Sequence, residues 1–215
     1  MDLQGKKVAF LGDSITESVG ASAYEHCYVA RFQVAHPECE VYNYGISGTR
    51  IADQKEKLVY HDEHHFITRL DKMNEDYDLI FVFGGTNDYG HGTAALGKFG
   101  DKTDDTFYGA LYNLSLNLLK KYTKARVVYI TPLHRSDMVS EVTRPDGEWT
   151  LEDYVAAIKE TAAYFALPVL DLRETSGIQP AIPFIKERLM PDGLHPNDEG
   201  YKRLFEIIDG YVRGL

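Results

Sequence analysis

Five short β-prone runs, each separated from the next by a stretch of helical pattern, constrain this chain more than any other feature of its 215 residues. Val8, Ala9, Phe10 and Leu11 form an unbroken apolar run that stops at Gly12-Asp13-Ser14. Val41 to Gly45 runs into Ile46-Ser47-Gly48-Thr49, and Leu79 to Phe83 into Gly84-Gly85-Thr86-Asn87-Asp88. Arg126 to Thr131 is closed by Pro132, and Leu167 to Asp171 carries Pro168 near its start, which suits an edge strand. Continuous apolar runs require burial on both faces, and strands alternating with helices specify a parallel sheet covered on both sides. The expected architecture is a three-layer α/β/α sandwich around a five-stranded parallel sheet.

The connecting segments support that reading. Tyr24, Tyr28, Ala30 and Phe32 have mostly helical spacing before Pro37. Residues 50 to 76 read as a charged helix with Ile51, Leu58, Phe66, Ile67, Leu70 and Met73 inward. Phe107, Leu111, Leu114 and Leu118 make one helical stripe, and Thr150 with Asp153 forms a capping pair ahead of a helix reaching Phe165. Asn197 caps a last helix that buries Tyr201, Leu204, Phe205, Ile208 and Val212. Residues 89 to 101 hold four glycines and read as a loop, either a cover over a site or a plain connection. Residues 133 to 149 and 173 to 190 also read as loops. No repeat or linker interrupts the pattern, so residues 1–215 read as one domain.

Composition narrows the partners. A formal net charge of -10 argues against nucleic acid or an anionic membrane as the main partner. No signal peptide or transmembrane stretch is visible in the sequence, and Cys27 and Cys39 without an export signal read as reduced thiols, so a cytoplasmic protein is expected. His61 and His65 have the spacing of two metal ligands on one helix face, with His64 between them, but Asp62-Glu63 and the charged surroundings read as a solvated face.

In open α/β sheets ligands bind beyond the carboxyl ends of the strands, which is where Ser14, Gly48 and Asn87 fall; the long loop near the C-terminus brings Asp192 and His195. A serine hydroxyl needs a base within hydrogen-bond reach, and His195 is the natural one. A histidine in that role needs a carboxylate on its other nitrogen, and Asp192 lies three residues away across a turn containing Gly193. Donors for a developing oxyanion are available in the N–H groups of Ser14 and Gly48 and the Asn87 amide. Each residue also has a plain structural reading: a turn glycine, an asparagine bonded to its own loop, a turn former, a histidine beside a helix start.

The four blocks GDSIT, NYGISGT, GGTND and DGLHPN, in that order, resemble the SGNH (GDSL) hydrolases over nearly the whole chain, from Gly12 to Asn197. The resemblance implies a flavodoxin-like three-layer fold and an esterase or lipase activity. It implies Ser14 as nucleophile, Asp192 and His195 as its partners, an oxyanion hole from Ser14, Gly48 and Asn87, and supporting roles for Asp13 and Asp88. The expected reaction is hydrolysis of small, short-chain or acetyl esters through an acyl-enzyme, with no metal or organic cofactor. An acyl-thioesterase or carbohydrate deacetylase would use the same residues, and a flavodoxin-like nucleotide or flavin module is the non-enzyme alternative. The sequence leaves open the acyl and alcohol groups and the oligomeric state.

Overall fold

The structure is a computed structural model that describes residues 1–54, 64–73, 75–136 and 145–215. Strands β1 (Lys7–Gly12), β2 (Glu40–Gly45), β3 (Leu79–Phe83), β4 (Arg126–Ile130) and β5 (Val169–Leu170) form one sheet in the order β2-β1-β3-β4-β5. All four pairings are parallel, with Val8 opposite both Val41 and Leu79. Because β2 and β3 flank β1 on opposite sides, the strand order switches direction beside β1, and it is at the carboxyl end of such a switch that open α/β sheets form a ligand crevice.

Side-chain alternation explains the unbroken apolar runs. Val8, Phe10, Leu79 and Phe81 enter one core, with α2 (Tyr28–Ala35) and the final helix, whereas Ala9, Leu11, Ile80 and Val82 enter the other. That second core is closed by two long helices, one at Phe107–Lys121 and one at Leu151–Tyr164. The final helix, Asp198–Arg213, begins under the Asn197 side chain, which accepts the N–H groups of Glu199 and Gly200 at 3.1 and 3.0 Å. The Thr150 and Asp153 capping pair is formed as expected. At the β5 edge only two residues pair, and Pro168, which has no N–H to offer, accepts the Tyr129 N–H at 3.0 Å. No helix among the described residues is long and apolar enough to cross a membrane.

Three segments differ from the sequence reading. Between residues 50 and 76 the described helix is short: α3 (Phe66–Arg69), extended by a 3-10 turn at Leu70–Lys72. Ile51, Phe66, Leu70 and Met73 are buried as expected, but Leu58 lies outside the described residues. Helix fails at 50 to 53 because the backbone groups bond elsewhere: Ile51 and Ala52 N–H go to the Asp88 carboxylate, and Arg50 C=O accepts from Phe66. Residues 89 to 91, read as loop, belong to α4 (Thr86–His91). The glycine that suggested a break, Gly90, sits inside the helix facing the Arg135 guanidinium, which a Cβ there would approach to 2.6 Å. The loop at 173 to 190 likewise contains a helix, Pro183–Leu189, started by proline at its first turn.

Candidate active site

β1 delivers its last residue, Gly12, into a turn so tight that a Cβ at that position would lie 1.8 Å from Thr16 Oγ1. Asp13 then caps α1 (Ser14–Glu17) by accepting the Ile15 N–H at 3.0 Å, which makes Ser14 the first helical residue. The Asp13 carboxyl is buried, and burial pushes its pKa up to about 7 against the pull of the Ile15 N–H and of Arg69. Ser14 is thereby held by backbone on both sides, at the crevice end of the central strand.

Its partner arrives from the other end of the chain. Ser14 Oγ lies 3.0 Å from His195 Nε2, and His195 Nδ1 lies 2.7 Å from Asp192 Oδ2. Asp192 folds back on the same turn: its Oδ1 accepts the N–H groups of Leu194 and His195 at 2.8 and 2.7 Å. Burial pushes the Asp192 carboxyl up, but those N–H groups and the imidazole outweigh it and hold it below the ordinary aspartate range. Gly193 takes φ +81 in the turn, a left-handed conformation that favours glycine. Its carbonyl accepts the Ser136 N–H at 2.7 Å, so the segment after β4 braces the turn. From below, the loop after α1 packs closely, for a Cβ on Gly20 would meet His195 Cβ at 2.9 Å.

The remaining donors sit across the crevice. The Ile46 N–H reaches back to the Gly12 carbonyl at 3.2 Å, carrying the segment with Gly48, at φ +72, onto the end of β1. The Asn87 amide, near the start of α4, donates through Nδ2 to the Thr49 carbonyl at 3.0 Å and through Oδ1 meets His91 Nε2 at 3.2 Å. Asn87 is therefore tied across to the loop that carries Gly48, as well as within its own helix. Asp88 is buried beside it and pins that loop by accepting Ile51 and Ala52 N–H, while burial raises its carboxyl to about 6. The structure thus joins Ser14, His195 and Asp192 in one hydrogen-bonded chain, and places Asp13 and Asp88 as turn and loop supports.

Three charged or titratable residues escaped the sequence reading. Arg69 is buried and donates to the Gly12 and Tyr44 carbonyls and to Thr49 Oγ1, clamping the ends of β1 and β2. Burial lowers its pKa to about 9, opposed by Asp13 and Glu17, so it stays cationic at neutral pH. Arg50 and His91 pack beside Asn87. For His91 a signal was present: it stands four residues after Asn87, the spacing of one helix face.

Among the described residues no cluster of three or more His, Cys, Asp or Glu side chains is arranged to hold a metal ion. His61, half of the metal pair considered from sequence, lies outside the described residues, and His65 instead faces Asp53 at 3.8 Å. Cys27 and Cys39 are buried and free. What the geometry does offer is a hydroxyl whose proton has an imidazole acceptor, itself oriented by a carboxylate, which is the arrangement of an activated serine.

The GDSL-like Lipase/Acylhydrolase family model matches residues 10–203, and the chain belongs to that family of hydrolytic enzymes. This displaces the nucleotide- or flavin-binding alternative. A solved protein from Lactobacillus plantarum is similar over 99% of this chain and 99% of its own, with 31% identity and a TM-score of 0.84. The fold is shared with a lipase/acylhydrolase from Enterococcus faecalis at 22% identity and TM-score 0.67, covering 97% of this chain and 96% of that one. An acetyl xylan esterase also shares it, at 24% identity and TM-score 0.68, over 96% of this chain and 99% of its own. No curated protein matches the chain.

Proposed function

We propose that this chain is a serine esterase that hydrolyses short-chain, foremost acetyl, carboxylic esters through Ser14, His195 and Asp192. The observation that carries the proposal is the continuous path from Ser14 Oγ to His195 Nε2 at 3.0 Å and from His195 Nδ1 to Asp192 Oδ2 at 2.7 Å. Ionised Asp192 accepts the Nδ1–H, which leaves Nε2 with its lone pair toward the hydroxyl. His195 takes the Ser14 proton as Oγ attacks the ester carbonyl. The negative charge that forms on the carbonyl oxygen rests on the N–H groups of Ser14 and Gly48 and the free N–H of Asn87 Nδ2. His195 returns the proton to the departing alcohol, and water repeats the sequence on the acyl-enzyme.

A preference for small substrates is supported by the polar groups flanking the crevice. Glu17 accepts the Ser47 N–H at 2.6 Å on one side, and Arg135 lies against Thr86 and the Tyr89 ring on the other. A long acyl chain needs an extended apolar wall, and these contacts put charged, hydrogen-bonded groups beside Gly48 and Asn87 instead. Because the residues involved run from Ser14 to His195, the chain acts as one catalytic domain. Thioesters and acetylated sugars present the same reacting carbonyl, and the acetyl xylan esterase of like fold makes sugar acetates a necessary part of the test. The experiment is a panel of p-nitrophenyl esters of increasing chain length, acyl thioesters and acetylated xylo-oligosaccharides, with wild type and Ser14→Ala. Turnover confined to short esters and lost in Ser14→Ala is expected; undiminished turnover in Ser14→Ala would end the assignment.

A further inference from the structure

Asn87 can stabilise an oxyanion only if its amide is held the right way round, because the opposite rotamer would turn a carbonyl oxygen toward the developing charge. The structure contains a device that fixes this choice. Arg50 Nη1 lies 2.8 Å from His91 Nδ1 and 3.4 Å from the His91 carbonyl. A guanidinium has only donors, so His91 Nδ1 is the acceptor, and a neutral imidazole that accepts at Nδ1 carries its proton at Nε2. That Nε2–H is 3.2 Å from Asn87 Oδ1. With Oδ1 held by this donor and Nδ2 held at 3.0 Å by the Thr49 carbonyl, flipping the amide would set N–H against N–H and C=O against C=O. Burial, with help from Arg50 and Arg135, lowers the His91 pKa to about 4, so the ring remains neutral across the neutral range.

We propose that His91, held by Arg50, is a positioning residue that locks the Asn87 amide with its N–H toward the oxyanion. The proposal rests on the serine esterase reading, since it assigns a role within that site. It also explains why two adjoining segments meet here: Arg50 follows Thr49, which accepts from Asn87, and His91 lies one turn beyond Asn87 on α4. Arg50, His91 and Asn87 thus form one relay from the loop carrying Gly48 to the donor that completes the pocket.

Three readouts test it. In wild type, ring 15N shifts of His91 are expected to report the Nε2–H tautomer at neutral pH, and an Nδ1–H tautomer would overturn the proposal without any variant. His91→Leu removes the donor at similar volume and is expected to lower kcat on a short ester by about 100-fold, the scale of a lost oxyanion donor, with KM within about threefold of wild type. Binding of a trifluoromethyl ketone, whose serine adduct carries an oxyanion, is expected to weaken in parallel. His91→Gln can place an amide N–H where Nε2–H stood and is expected to recover kcat to within about tenfold of wild type. A folded His91→Leu enzyme with unchanged kcat overturns the proposal, as does a Gln variant no better than Leu. If wild type neither turns over esters nor takes a fluorophosphonate on Ser14, the esterase reading fails, and the role given to His91 fails with it. A labelled, active wild type with an indifferent His91 removes the proposal alone.

Discussion

Arg69 donates from Nη1 to the carbonyl oxygen of Gly12 at 2.6 Å, across 57 residues of sequence, and the same nitrogen also reaches the Tyr44 carbonyl. One buried guanidinium therefore bridges the backbone acceptors where β1 and β2 finish, the Gly12 carbonyl also accepting the Ile46 N–H, next to the turn that presents Ser14. Arg69→Met keeps much of the packing but leaves those carbonyls and the nearby Asp13 carboxyl without their cation. It is expected to destabilise the fold by about 3 kcal/mol or more, since hydrogen bonds to charged groups count for about 1.5–3 kcal/mol each. Urea unfolding of wild type and variant measures this; a loss below about 1 kcal/mol would show that the clamp is dispensable.

Asp13 makes stability depend on pH in an unusual direction. Its folded pKa is raised to about 7, chiefly by burial, and that of Asp88 to about 6 for the same reason. An acid whose pKa rises on folding binds protons better in the folded state, so its contribution is intact at low pH and falls as pH climbs through the folded value. Asp192, held below the ordinary range, works the opposite way, its contribution being lost as pH falls. Asp13→Asn stays neutral and can still accept the Ile15 N–H. It is expected to gain stability relative to wild type at about pH 8 compared with about pH 5, measured by unfolding at both values. Parallel pH dependence in the two proteins would contradict the buried, poorly solvated carboxyl described above.

The three inner strands, β1, β3 and β4, were legible because they are buried on both faces, which leaves no polar residue to blur runs such as Leu79–Phe83, whereas the edge strand β2 is only half-buried and carries Asn43. The residues that meet in the crevice were legible for a related reason: Gly12, Ser14, Gly48 and Asn87 interrupt apolar runs where a strand must end. Arg50 and Arg69 were not. Charges inside a charged segment ordinarily face water, and what receives these two is a set of backbone carbonyls at the ends of β1 and β2, the Thr49 hydroxyl and a histidine nitrogen on α4. Helix α4 was missed because Gly90 and Gly92 look like breakers, whereas here they make room for Arg135 and for the backbone of Asp88. Such contacts exist only once the layers have come together, so residue spacing does not encode them.

Asp192 combines two tasks that substitution can separate. One oxygen accepts the N–H groups of Leu194 and His195 and shapes the turn, while the other meets His195 Nδ1. Asp192→Asn retains an acceptor for the turn but offers the imidazole no carboxylate, which favours the tautomer with its proton on Nε2, facing Ser14. The expected result is a fall in kcat of about 10⁴-fold with little change in melting temperature. Steady-state kinetics beside a thermal melt distinguish this from unfolding; a variant within about tenfold of wild type would remove Asp192 from the proposed mechanism.

Gly193 stands between those two tasks and offers the most selective way to move His195 without touching its chemistry. Its φ of +81 disfavours any residue with a Cβ, and a Cβ built there would fall 2.3 Å from Ser136 Oγ. Left-handed backbone at a non-glycine residue costs about 1–2 kcal/mol, and relief of the contact requires either Ser136 or the turn to shift. Rotating the hydroxyl is not enough, since Ser136 Cβ would still lie 2.6 Å from the added Cβ; if Ser136 as a whole moves away, stability falls and activity is kept. If the turn shifts, His195 Nε2 leaves hydrogen-bond range of Ser14, and misplacement by about 1 Å costs about 100-fold in rate. The Ser136 N–H holds the Gly193 carbonyl at 2.7 Å, so Ser136 cannot retreat without giving up that hydrogen bond and the turn is the part that yields. Gly193→Ala is therefore expected to lower kcat by about 100-fold. The double variant Gly193→Ala with Ser136→Gly, which removes the opposing hydroxyl and Cβ together, should recover most of that loss while the backbone strain remains. Kinetics and unfolding of both variants decide it, and a double variant as slow as the single one would place the fault in backbone strain instead of the contact.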